Sequence, residues 1–177
     1  MEITFALSGE PRGAPLSIKR LSKISKNSTI FSKNNFNLLR HCWLSDNVSK
    51  NKLIFDSFRS EQEDNYLKTD NLIFSSLKVK NNISYIVLKP KVILCEFTSR
   101  NSSTDVLVLG RNDYFWPDNI FELCELCCES KKILIPKKEN NNEIVQINAI
   151  NDQLLFIPGE YINLVTRLID KSIYSKE

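Results

Sequence analysis

Two strongly one-sided patterns near the C-terminus most constrain what this chain can fold into. Tyr161, Ile162, Leu164, Val165, Leu168, Ile169 and Ile173 recur at helical spacing, opposite Asn163, Arg167, Asp170 and Lys171. Within Pro117–Ser130, the residues Ile120, Leu123, Cys124, Cys127 and Cys128 share a broad face, opposite the narrow stripe Glu122, Glu125 and Glu129. Such helices draw their stability from packing and need an apolar surface to cover. Runs of β-branched and aromatic residues supply that surface as strands. They are Glu2–Leu7, Lys52–Phe58, Leu72–Lys80, Ile83–Leu88, Val92–Thr98, Asp105–Leu109, Lys132–Ile135, Glu143–Ile150 and Gln153–Ile157. Asn81-Asn82 fits a tight hairpin turn between two of them.

The pattern predicts an α+β fold, a largely antiparallel meander with the two C-terminal helices packed on one face. Asn35–Leu44 has Phe36, Leu39 and Trp43 at helical spacing, which favours a helix, with a strand entering the Ser45-Asp-Asn turn as the alternative. Leu16–Lys33 is basic and serine-rich, and reads as either a short N-terminal helix or part of a mobile basic segment over 8–34. With 177 residues and no long linker, one globular domain over 1–177 is expected.

Composition limits the classes of function. Hydrophobic residues at 42% and charged residues at 25% provide enough apolar surface to offset chain entropy, which argues against wholesale disorder. Abundant Asn, Lys and Ile beside only 4 Gly point to an AT-rich viral or microbial coding sequence. No uncharged run approaches the ~20 apolar residues of a membrane helix. Glu2 and Thr4 also break a signal-peptide pattern, so a cytoplasmic protein is expected, with 5 Cys kept reduced. The net charge is +3, but it is uneven: residues 1–60 hold ten Lys/Arg against four acids, and the remainder is net acidic.

The chemical motifs are sparse. Gly9, Gly13, Gly110 and Gly159 spell neither a dinucleotide fingerprint nor a P-loop. Cys124-Glu-Leu-Cys127-Cys128 contains a CxxC that Cys42 and His41 could complete as a zinc site. Its cysteines, however, share a helix face with Ile120 and Leu123, so they read as core thiols. His41 reads as a surface or boundary residue, and no nucleophile elbow accompanies it. No catalytic residue, metal ligand or cofactor is assigned.

Two stretches remain. Arg111–Asp118 joins a strand's carboxyl end to a helix N-terminus, where Arg111, Asp113, Tyr114 and Trp116 are candidate binding residues. In the bland reading, Phe115 and Trp116 staple the helix to the core. The basic N-terminal third offers Lys19, Arg20, Lys23, Lys26, Lys33 and Arg40 as candidate phosphate contacts among apolar residues. By elimination, the sequence predicts a non-enzymatic module that binds a protein partner, of the accessory, adaptor, inhibitor or immunity type. The alternative is a nucleic-acid-binding accessory protein.

Overall fold

The structure is a computed structural model that describes residues 1–9, 14–28, 35–64, 71–77, 82–101, 103–135 and 154–174. Strand and helix alternate along it as β1 (Glu2–Ser8), α1 (Ala14–Asn27), β2 (Asn35–Leu44), α2 (Val48–Asp64), β3 (Asn71–Ser76), α3 (Ile83–Asn101), β4 (Val106–Arg111), α4 (Ile120–Ser130), β5 (Leu154–Pro158) and α5 (Ile162–Tyr174). The five strands form one sheet in the order β3-β2-β1-β4-β5. The pairs β1–β2, β1–β4 and β2–β3 are parallel, and only β5 runs antiparallel, against β4.

This corrects the expected antiparallel meander: the fold is α/β, with helices on both faces of the sheet. On one face, Phe5 and Leu7 of β1 and Val108 of β4 meet Ile18 and Leu21 of α1 and Phe121 and Cys124 of α4. On the other, Ala6, Leu39, Leu107 and Leu109 meet Val92 and Cys95 of α3 and Val165 and Ile169 of α5. The second helix adds Ile54 and Phe58 against Cys42 and Phe74. Cys42 lies four residues beyond Leu38 on the same strand, so α2 sits on the α1 face.

The departures have physical causes. A parallel strand covered on both faces need not alternate. Asn35–Leu44, leaning to helix by its Phe36, Leu39 and Trp43 spacing, is β2, with Arg40 and His41 buried among its apolar residues. Lys52–Phe58, read as strand, lies in α2, which Asn47 opens by accepting the Lys50 amide at 3.0 Å. Ile83–Leu88 and Val92–Thr98, read as two strands, form the single helix α3. Its start is capped by Asn82, whose side chain accepts the Tyr85 amide at 2.9 Å. Local preference for strand is thus overridden by the need to cover the sheet.

Other elements fall closer to expectation. Strands at Glu2–Ser8, Val106–Arg111 and Leu154–Pro158 and both C-terminal helices are present. Lys132–Ile135 contributes only one bridge, Leu134 to Phe156, and Glu143–Ile150 lies outside the described residues. Gly159 follows β5 where any Cβ would come within 2.0 Å of the Thr104 carbonyl oxygen, so the chain needs glycine there.

The last helix is turned from the expected phase. Ile162, Val165, Ile169 and Ile173 are its core stripe, whereas Leu164 and Leu168 are 51% and 52% exposed. Ile169→Ala should therefore cost about 2–5 kcal/mol in denaturant unfolding. Leu164→Ala should stay within about 0.5 kcal/mol, as surface changes do. Equal losses at the two positions would contradict this packing.

Candidate functional site: the crevice at the strand carboxyl ends

The first two strand-helix units step outward from β1 through β2 to β3, and α3 then carries the chain back to β4 on the other side of β1. That reversal leaves a crevice at the carboxyl ends, where α/β sheets of this kind take ligands. Asn112, buried just past β4, holds it together. Its backbone N–H donates to the Ser8 carbonyl at 2.9 Å. Its side-chain amide donates to the carbonyls of Gly9 at 2.6 Å and His41 at 3.2 Å. Its side-chain oxygen accepts from Arg40 Nε at 2.9 Å. One residue thus ties the ends of β4, β1 and β2. Gly9, at φ +107°, makes a turn that an L side chain rarely adopts.

The crevice has a volume of about 250 Å³. Its floor is Ser8 and Gly9, its apolar walls include Trp43, Leu77 and Ile86, and its charges are Lys50, Lys91 and Arg111. No carboxylate lines it among the described residues. Lys91 is only 1% exposed, on the helix face turned toward the sheet. Arg111 is held in a fork by Asp113, with both contacts at 2.8 Å, which fixes its direction at the rim.

The α3 wall depends on a proline. Pro90 lies inside α3 and has no N–H to give the Ile86 carbonyl four residues back. The Trp43 indole N–H takes that place, donating to the Ile86 oxygen at 2.9 Å. The Trp43 ring is further fixed by stacking on Tyr85 at 6.1 Å and by an edge contact with His41 at 5.1 Å. His41 is fully buried, which corrects the expected surface or boundary histidine. Its Nε2 meets Ser75 Oγ at 3.0 Å, and burial lowers its pKa to about 4, so the ring is neutral near pH 7.

The residues singled out by sequence separate. Arg111 lines the crevice and Asp113 orients it. Trp116 is fully buried, donates to Ser17 Oγ at 2.8 Å and meets Phe5 edge-on at 5.5 Å, so it acts as a staple. Tyr114 is half-buried against Trp116, and its hydroxyl pKa is raised by burial. Phe115 instead points outward, 73% exposed, with the Arg20 guanidinium 4.0 Å from its ring centre. Arg20 also pairs with Asp118 at 3.0 Å. Lys19, Lys23 and Lys26 are exposed on α1.

Arg40, expected as a phosphate contact, is buried over the Phe58 ring at 4.3 Å and cannot reach an external backbone. Lys33 lies outside the described residues. Cys124 and Cys127 are buried, and burial pushes the Cys127 thiol up to about 11. Cys42 packs in a different cluster, beside α2. Among the described residues, no group of three His, Cys, Asp or Glu side chains could hold a metal. No described helix is long and apolar enough to cross a membrane. Sequence reasoning missed Trp43, Lys50, Lys91 and Asn112. The one local signal was Pro90 beside Lys91 within an apolar run.

No family model matches the chain, and no curated protein does. Among solved structures, it is similar to the crystal structure of S. aureus TarS 1-349, at 12% identity and a TM-score of 0.46. The match covers 82% of this chain and 39% of that one. The expectation of a non-enzyme is withdrawn. It rested on a meander without convergent polar groups, whereas the sheet is mainly parallel with a charged crevice at its carboxyl ends.

The Pro90–Trp43 arrangement makes a testable prediction. Trp43→Phe strands the Ile86 carbonyl and should cost about 1–3 kcal/mol. With Pro90→Ala supplying the missing helical N–H, the same change should cost about 1 kcal/mol less. A double-mutant cycle in urea measures the difference, and strict additivity would show that the indole N–H does not serve this carbonyl.

Proposed function

We propose that this protein binds an anionic small molecule in the crevice at the carboxyl ends of β1, β2 and β4. The single observation that carries the reading is the lining: Lys50, Lys91 and Arg111 converge with no carboxylate among the described lining residues. A lysine as buried as Lys91 is costly unless something compensates its charge, and an anionic ligand adds to that compensation. The apolar walls of Trp43, Leu77 and Ile86 lower the local dielectric and strengthen each charge interaction. A volume of about 250 Å³ suits a small ligand rather than an extended cofactor. The cysteines are all free thiols, which fits the reducing, cytoplasmic compartment that we include in this proposal.

Nucleic acid fits less well. The exposed Lys19, Lys23 and Lys26 lie on α1, whose neighbour α4 carries Glu122, Glu125 and Glu129, and those carboxylates would repel a phosphate backbone. Association with a protein partner remains a second reading, favoured by the exposed Phe115.

Pyrophosphate is a suitable probe. Titrated by calorimetry, it should bind the parent, and Lys91→Met or Arg111→Gln should each weaken binding by about tenfold or more, equivalent to about 1.4 kcal/mol. Changing Lys19, Lys23 and Lys26 together to Ser should leave the affinity within about threefold, because exposed charges contribute little at a distance. No binding by the parent, or loss only in the triple variant, would refute the assignment.

A further inference from the structure

We infer that two copies of this chain join edge to edge through β3, so that one sheet runs through both, independently of the crevice. The two sheet edges differ. Along β5, Leu134 exchanges backbone hydrogen bonds with Phe156 at 3.0 Å each way, and Pro158 ends the strand, so the chain closes this edge itself. Open edges are commonly blunted by charge or proline. β3 reads Asn71-Leu-Ile-Phe-Ser-Ser76 and has neither. Among the described residues, β2 is its only strand neighbour. The Leu77 N–H donates to the Leu44 carbonyl of β2 at 3.1 Å, which fixes the alternation along β3. Ile73 and Ser75 turn their backbone groups toward β2, and Leu72, Phe74 and Ser76 turn theirs outward. The outer edge is thus a row of donors and acceptors beside the half-buried Leu72 and Phe74.

The occupant that fits this edge is a second β3. Phe74 lies midway between Leu72 and Ser76, so the outward residues are symmetric about it. An antiparallel copy then sets Phe74 opposite the partner's Phe74, and Leu72 opposite the partner's Ser76. Each pair exchanges both hydrogen bonds, at a Cα separation of about 5.5 Å. A two-fold axis normal to the sheet generates this arrangement and keeps equivalent faces on the same side. The contact is isologous and closed, so it ends at a dimer. The helices demand the same spacing. Ile54 and Phe58 of α2 pack on Cys42 of β2 and on Leu72 and Phe74 of β3, which places α2 over the seam between the two strands. In the paired sheet, α2 and its symmetry mate lie two strand spacings apart, roughly 10 Å, which is close to helix-packing distance. Phe55 is level with the axis, since its ring lies 4.7 Å from that of Phe74, and it is 43% exposed. The two copies of Phe55 and Phe74 thus form an apolar cluster on the axis, which pairing removes from water.

Sedimentation equilibrium and amide hydrogen exchange of the full chain test this. A dimer is expected, and its dissociation constant should change by less than about threefold between about 0.05 M and about 0.5 M salt, because hydrogen bonds and apolar contact hold it. The amides of Leu72, Phe74 and Ser76 should be protected, and dilution should release them in step with dissociation. Ser76→Pro removes one outward donor and leaves the Leu77 bond to β2 in place, while Phe55→Glu sets two like charges beside the axis. Each should raise the dissociation constant about tenfold or more. Phe55→Glu changes an exposed side chain, so it keeps the test valid if Ser76→Pro does not fold. A parent that stays monomeric up to about 1 mM would overturn the proposal. So would a dimer whose Leu72, Phe74 and Ser76 amides exchange freely, or one that Phe55→Glu leaves intact.

Discussion

Asn112 is the residue on which the crevice depends. Parallel strands end with carbonyls pointing outward, and those that no helix or loop satisfies must find another donor. Here one buried amide side chain donates to the carbonyls of Gly9 and His41, while its own backbone N–H serves Ser8. Arg40 completes the set from β2. Three strand ends are thereby held at fixed separations, and Arg111 and Asp113, on either side of Asn112, inherit those positions. The charged rim is a consequence of strand-end hydrogen bonding rather than a separate feature.

The opposite wall follows similar logic. A proline inside a helix leaves one carbonyl without its donor, and an aromatic N–H from the sheet answers it. That bond anchors the indole edge beside the crevice and ties α3 to β2. Lys91 follows Pro90 directly and is carried into the same position. Removing a hydrogen bond in either system would loosen the site before it loosened the core.

Part of this was legible in the sequence. The one-sided pattern of Pro117–Ser130 correctly placed Cys124 and Cys127 in the core, and alternation gave β1. The last helix was also visible, although Leu164 and Leu168 turned out to be exposed because a broad apolar stripe leaves its exact phase open. The parallel sheet was not legible, because β2 is buried on both faces and loses the alternation that marks a half-buried strand. Asn47 and Asn82 looked like turn residues when they cap helices, since both uses exploit the same short side-chain acceptor. The crevice was hidden for a different reason: Gly9, Trp43, Lys91 and Arg111 lie far apart in the sequence and meet only through the strand order.

The most direct test of the central claim is a map of amide chemical shifts as pyrophosphate is added to the isotopically labelled parent. The account predicts saturable shifts concentrated at Ser8, Gly9, Ser45, Lys91, Arg111 and Asn112, with the outer residues of α1 unchanged. Shifts concentrated at Lys19, Lys23 and Lys26, with the strand ends silent, would contradict it.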